Sequence, residues 1–515
     1  LNAATERQVC FLTTFRSKEK SNWAVSLFFV PLALTCFVIT MKNIIGRHKE
    51  LKLLNSLKHN DSATFVAVFG RRRVGKTFLI RNAFDNQFTF QLTGLGKGGV
   101  KKQLNNFYAA FAKQMPPGVE VPFPKDWFWA FQQLSTWLES LPAGKKTIFL
   151  DELPWFDTPQ SGFVSALEHF WNSWASARQD ILLIVCGSAA SWMLHNLINN
   201  RGGLHNRVTH RIRLDPFTLA ETAAYFAHKS ATYEQYQLVQ LYMVTGGIPF
   251  YLEQVNTGKS IAQNINDLGF LPDGFLRLEF DNLYASLYRN ANRHIAVVEA
   301  LAQKSKGMSR EQLLLKAALP DGGSATKVLK ELEQSGFIRK YQAYDKKEKN
   351  ALFQLADFYS LFYLKFIKNT SPLDKNNWIS GLDSPEYRAW SGYAFEQVCL
   401  SHIDQIKNAL GISGVQTATS AWIGEKDGQK AQIDLVIDRR DQVINLCEMK
   451  FSTSPFAIDK AYAGVLRNKI GLFKEITGTN KAIFLTMITT FGLAKNEHAM
   501  ALVQNNLTME MLFRE

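Results

Sequence analysis

Cysteine is scarce: Cys10, Cys36, Cys186, Cys399 and Cys447 are the five in a chain of 515 residues, widely spaced and without a C-x-x-C pair. An odd, dispersed set excludes a disulfide framework and a thiolate zinc site, and it suits a reducing, cytoplasmic setting. Histidine offers no substitute, because His195, His205 and His210 follow no zinc-ligand spacing. Acidic residues are the scarcer charge, 45 Asp and Glu against 59 Lys and Arg, for a formal net charge of +14. That surplus is compatible with a polyanionic partner such as DNA but does not say where it would bind. At this length one core is excluded, and roughly three or four domains are expected.

What is present is more specific. Residues Phe65 to Ile80 read FVAVFGRRRVGKTFLI, an apolar run that enters Gly70, Arg71, Arg72, Arg73, Val74, Gly75, Lys76 and Thr77. This fits G-x-x-x-x-G-K-[ST] at every fixed position. A buried strand feeding a glycine-bearing loop and then a helix start leaves backbone N–H groups aimed at one point, where phosphates sit. Lys76 is expected to reach the β- and γ-phosphates of ATP, and the Thr77 hydroxyl to enter the shell of a Mg²⁺ ion.

Two further apolar strands, Thr147–Leu150 and Ile181–Val185, end in Asp151-Glu152 and in Cys186-Gly-Ser188. Short buried strands separated by helical stretches predict a parallel sheet with all three endings on one rim. On that rim Asp151 would hold Mg²⁺ through water, Glu152 would orient or activate the attacking water, and Ser188 would sense the γ-phosphate. Residues 201–217, RGGLHNRVTHRIRLDPF, read either as a basic surface strand or as the source of an arginine, Arg207, that stabilises transition-state charge. Helical runs from Thr218 to Val255, broken by the glycine pair and proline of Thr245-Gly-Gly-Ile-Pro249, predict a lid.

The one long apolar run, Trp23 to Thr40, is charge-free and follows Arg16, Lys18 and Lys20, the pattern of a single-span membrane anchor with a basic flank. Residue 1 is Leu, whereas Met41 opens MKNIIGRHKELKLLNSL, whose I-G-R-x-x-E-L-x-x-L pattern suits the start of an ATPase domain. Residues 1–40 are therefore expected to be a doubtful extension, and a membrane is a partner only if they are translated.

From His294 to Leu355 the pattern changes to three short helices and a hairpin, with a capping pair at Ser309 and Gln312. This resembles a winged helix-turn-helix, in which Lys327, Lys330, Arg339 and Lys340 would meet phosphates or bases. Further on, Glu396 lies in a helical run, Asp434 interrupts the apolar strand Ala431–Ile437, and Glu448 and Lys450 close the strand from Val443. The period of two places Glu448 and Lys450 on one face. Asp434 and Glu448, with Glu396 from a helix, would bind Mg²⁺ or Mn²⁺, and Lys450 would polarise water or stabilise a pentavalent phosphate.

Together these residues resemble the archaeal-type P-loop ATPases of the AAA+/STAND group, from about Met41 to the end. GRRRVGKT resembles that family's Walker A, IFLDELPW its Walker B with the tail Pro154-Trp155, and LLIVCGSAASWM its sensor strand. LHNRVTHRIRLDPF resembles its Gly-Arg segment before the lid, with Asn206 where glycine is usual. The family's C-terminal domain resembles PD-(D/E)XK nucleases, and Glu396, Asp434, Glu448 and Lys450 fall on that pattern, with Ile433 in place of the usual proline. The fold implied is α/β: a P-loop parallel sheet over 41–217, a helical lid over 218–290, a winged helix over 291–358 and a restriction-endonuclease-like domain over 385–515. The function implied is ATP hydrolysis coupled to a DNA-binding or DNA-cleaving domain. The alternative is a nucleotide-switched signalling protein with a docking module, acting through a homo-oligomer or a protein partner.

Overall fold

The computed structural model describes residues 44–96, 98–199, 202–288, 290–341, 344, 351–371, 374 and 377–514. The apolar run 23–40, Met41 and Arg201 lie outside them. Among the described residues no helix is long and apolar enough to cross a membrane.

Five strands, β1 (Thr64–Gly70), β2 (Phe90–Thr93), β3 (Lys146–Asp151), β4 (Ile181–Gly187) and β5 (His210–Leu214), pair in parallel in the order β2-β3-β4-β1-β5. Every residue of β1 and β4 is buried, as a near-continuous apolar run requires when both faces of a parallel sheet are covered. Successive side chains alternate between faces, so Val66, Val68, Leu182 and Ile184 enter one core while Phe65, Ala67, Leu183 and Val185 enter the other. The register aligns the carboxyl ends, with Phe69 beside Gly187, Gly70 beside Leu214 and Thr93 beside Asp151. The three chemical endings therefore share a rim, as the sequence predicts. Gly70 has φ 150°, and a Cβ there would stand 2.2 Å from the Leu214 carbonyl oxygen, so only glycine lets β5 run this close to the loop.

Helices Leu219–His228, Gln235–Thr245, Ile261–Phe270 and Phe275–Leu287 follow the sheet. Thr218 and Glu221 form a reciprocal capping box that starts the first. The expected break after Thr245 is real: Gly246 and Gly247 both have positive φ, and a Cβ on Gly247 would meet the Phe217 carbonyl oxygen at 2.2 Å.

Helices Ala291–Ala302, Arg310–Lys316 and Gly323–Gln334 then accompany a small antiparallel sheet of β6 (Met308–Ser309), β7 (Ile338–Tyr341) and β8 (Leu352–Leu355), ordered β6-β8-β7. Ser309 caps its helix by accepting from the Gln312 N–H, but the Gln312 side chain accepts from Lys304 instead of closing the box. Two residues are too few to show a period, so β6 is silent in the sequence. Arg339 corrects an expectation: it is half-buried and donates to Gln397, so it does not offer a free cation to nucleic acid.

The last unit carries helices Pro385–Ser401 and Lys460–Thr477 and a mixed sheet of β9 (Thr417–Lys426), β10 (Gln429–Arg439), β11 (Val443–Lys450), β12 (Ala482–Thr489) and β13 (Asn505–Thr508). Its order is β13-β12-β11-β10-β9, antiparallel from β9 to β11 and parallel from β11 to β13. Tyr344 reaches this sheet from beyond β7: its N–H donates to Ala421 of β9, its hydroxyl to Asp438, and its ring packs on Phe473.

His402 joins two units. Its Nδ1–H donates to the Val398 carbonyl at 2.8 Å, which fixes the tautomer, and Nε2 then accepts the Leu219 N–H at 3.1 Å. Burial holds this imidazole below its ordinary range. A base depressed on folding lets the unfolded chain bind more protons in acid. The contribution is therefore complete above about pH 6.5 and is lost as pH falls through the depressed folded value. The urea midpoint of the wild type is expected to fall across that window, and that of His402→Gln to fall less steeply. Parallel pH profiles would refute this.

Candidate active site

The glycine-bearing loop leaves β1 and enters the helix Lys76–Ala83 through Gly75, whose φ of 89° orients the turn. Lys76 is almost fully buried, and its Nζ donates to the loop's own carbonyls, Arg71 O at 2.8 Å and Gly70 O at 3.2 Å. Burial pushes this ammonium's pKa down, against the pull of the anionic groups around it. Beside it, the Thr77 hydroxyl stands 3.1 Å from both carboxylate oxygens of Asp151 at the end of β3. Asp151 also accepts from the Glu152 N–H at 3.0 Å and from the Cys186 thiol at 2.6 Å, and burial pushes its carboxyl up.

Glu152 adopts a left-handed backbone, φ 49°, which is uncommon for a non-glycine residue and turns its side chain across the rim. There it accepts from Ser188 twice, from the hydroxyl at 2.6 Å and from the N–H at 3.1 Å. The structure thus brings Lys76, Thr77, Asp151, Glu152 and Ser188 together. A cavity of about 1030 Å³ opens from Glu152, Ser188 and Arg72 toward the helix Gly323–Gln334.

Arg71 and Arg73 stand differently from the expectation that the whole loop faces the nucleotide. The Arg71 guanidinium is buried in an ion pair with Asp357 and lies over the Phe337 ring. Burial works against that charge, yet the Asp357 carboxylate outweighs it and holds the pKa above the usual range. Arg73 pairs with Glu279 and lies over Phe250 and Phe275. Only the backbone of these two residues is left to the loop's interior.

Arg207 is the second correction. It is exposed in the turn before β5, two residues before Thr209, whose N–H bonds Phe65 at the start of β1. That is the amino end of the sheet, opposite the rim that carries Lys76, so Arg207 does not reach the nucleotide loop of its own chain.

The C-terminal residues also converge. The register that sets Leu435 beside Cys447 places Asp434 across from Glu448, and a bulge between Ile433 and Val436 falls on Asp434 itself. Bulges re-aim a side chain out of the ladder. Glu448 is buried, accepting from Lys469 at 2.6 Å and from the Tyr462 hydroxyl at 3.3 Å, while Lys450 lies over the Tyr462 ring at 5.0 Å. Burial and the neighbouring carboxylates push Asp434 and Glu396 up, against the lysines that surround them. Among the described residues no group of three or more His, Cys, Asp or Glu is gathered closely enough to hold a metal unaided.

Sequence reasoning gave no role to Cys186, Asp357, Glu279, Lys469 or Tyr462. Lys469 and Tyr462 carried a signal, being seven apart and so on one face of the helix after β11. The others depend on strand order and long-range packing and carried none.

Residues 44–255 match the family described as an ATPase domain predominantly from Archaea, which supports an ATPase domain in this part of the chain. An uncharacterised protein of Methanocaldococcus jannaschii is 24% identical over 359 residues, covering 69% of this chain and 76% of that protein. Among solved structures, a Walker-type ATPase of Pyrococcus abyssi shares 16% identity with a TM-score of 0.46, covering 63% of this chain and 97% of its own. The ORC2 protein of Aeropyrum pernix, in ADPNP and ADP complexes, shares 13% identity with a TM-score of 0.36, over 66% of this chain and 95% of its own.

Proposed function

We propose that the rim built on β1, β3 and β4 binds ATP with Mg²⁺ and hydrolyses it, and that the result is passed through a lid over 218–290 and a winged helix over 291–358 to a nuclease-like domain over 385–515. The observation that carries this is the meeting of Thr77 and Asp151 at the mouth of the phosphate loop, with Glu152 one residue further on. A hydroxyl and a carboxylate are hard oxygen donors and suit Mg²⁺, which takes few protein ligands and completes its shell with water and phosphate oxygens. Bound there, the ion would neutralise charge on the β- and γ-phosphates. Lys76 exchanges the carbonyls of Gly70 and Arg71 for phosphate oxygens, and the backbone N–H groups at the start of its helix supply the rest of the cradle. Glu152, released from Ser188, takes the proton of the attacking water.

In the C-terminal unit Asp434 and Glu448 would share a divalent ion with a DNA phosphate, and Lys450 would stabilise the charge that develops. A second reading has its own support. Glu448 is already neutralised by Lys469, which suits a domain that grips a phosphate backbone or a partner without cutting it. The purified chain, assayed in one reaction for phosphate release and for Mg²⁺-dependent nicking of supercoiled DNA, separates the two. Nicking that Asp434→Ala abolishes supports the nuclease. Phosphate release without nicking under any nucleotide condition leaves the docking reading, and absence of both defeats the proposal.

A further inference from the structure

We infer that Arg72 is the transition-state arginine of the nucleotide site, supplied by the phosphate loop of the same chain; this rests on the reading of that loop as an ATP site. The fold treats the three arginines of the loop differently. Arg71 is held by Asp357 and Arg73 by Glu279, and the chain reverses at Arg73, where φ is 71°. Arg72, between them, is half-buried and lines the cavity that Glu152 and Ser188 also line. Among the described residues no hydrogen bond or ion pair holds its guanidinium, whose charge acts at longer range on Glu279, so it can turn to an anion in that cavity. Its charge also reaches Lys76: after burial, it adds to what lowers that ammonium's pKa.

The other arginines near the loop are committed elsewhere. Arg47 donates to the carbonyls of Val74 and Asp215, Arg293 bonds Ser324, and Arg207 lies on the opposite rim. A guanidinium that opens into the same cavity as the catalytic acid offers a planar fork to two oxygens of a phosphoryl group, a geometry that an ammonium cannot reproduce.

The step balances with water as the only co-reactant. The water oxygen bonds to the γ-phosphorus, the bond from that phosphorus to the bridging oxygen breaks, and Glu152 accepts the proton. ADP departs with the bonding pair on its β-phosphate, leaving inorganic phosphate. Arg72 meets the equatorial and bridging oxygens where negative charge accumulates.

The test compares Arg72→Ala and Arg72→Lys with the wild-type chain. Arg72→Ala is expected to lower turnover by about a thousandfold. ATP affinity, measured with a non-hydrolysable analogue, should change by less than about threefold, as expected when an interaction is made only in the transition state. Arg72→Lys should recover less than about a tenth of the lost rate, because the charge returns without the fork. Capture of ADP with aluminium fluoride, which mimics the flying phosphoryl group, should be lost in Arg72→Ala while ADP binding persists. Turnover within about threefold of wild type in Arg72→Ala, or undiminished capture, would overturn the assignment to Arg72 and leave the ATP site intact. A wild-type chain that neither binds nor hydrolyses ATP would instead overturn the reading of the site.

Discussion

Lys76→Ala is expected to abolish ATP binding, and Glu152→Gln to retain it while slowing hydrolysis by about 10²- to 10⁴-fold, the range of a positioned general base. The two outcomes differ because the groups act at different moments. The Lys76 ammonium is desolvated in the loop and, among the described residues, donates to two loop carbonyl oxygens, so phosphate oxygens are its natural partners. Removing it also removes a buried charge that burial disfavours, so the variant should melt no lower than the wild type. A loss of binding then cannot be put down to unfolding. Glu152→Gln keeps the shape of the side chain, and its amide oxygen still accepts from Ser188, but it takes no proton from water. Calorimetric titration with an ATP analogue and a phosphate-release assay read the two separately. Unchanged turnover in both variants would sink the assignment of this rim as catalytic.

Arg71→Met is expected to destabilise the fold by about 3–5 kcal/mol, because it leaves the Asp357 carboxylate buried without its counter-charge. Asp357 is 2% exposed and, among the described residues, is left with its bonds to Ser360, whose N–H and hydroxyl it accepts at 2.9 Å and 2.5 Å. The double variant Arg71→Met with Asp357→Asn should regain most of the loss, since replacing both members of a buried pair is often close to neutral. Urea denaturation of the two single variants and the double closes the cycle. A loss below about 1 kcal/mol in Arg71→Met would mean that water reaches the pair. The pair ties the nucleotide loop to the start of the helix Phe358–Phe362, 286 residues away, so its strength bears on how a change at the loop reaches the later units.

The nucleotide site was legible because its determinants are local. A strand, a loop with glycine at fixed positions and a helix start occupy one stretch, and Asp151, Glu152 and Ser188 each terminate an apolar run. The helix Gly323–Gln334 and its neighbours were legible to within a few residues for the same reason. Strand order was not. That β4 inserts between β1 and β3 follows from pairings between distant segments, and β6, β12 and β13 add strands that no spacing announced. Arg207 was misplaced because the distance from a motif along the chain says nothing about which end of the sheet a turn occupies. The purpose of Arg71 and Arg73 was hidden in Asp357 and Glu279, acids that look like ordinary helix residues until the chain has folded.

Tyr344 has a role beyond joining two units. Among the described residues the strand β9, ten residues long, is the outer strand of the C-terminal sheet, and an edge of that kind carries N–H and C=O groups able to template another chain. The N–H of Tyr344 occupies one of those acceptors at Ala421, and its ring covers the strand's flank against Phe473. One aromatic residue thus covers part of an edge open to self-association, and Tyr344→Pro, which lacks both that N–H and that ring, is expected to raise the self-association read by light scattering.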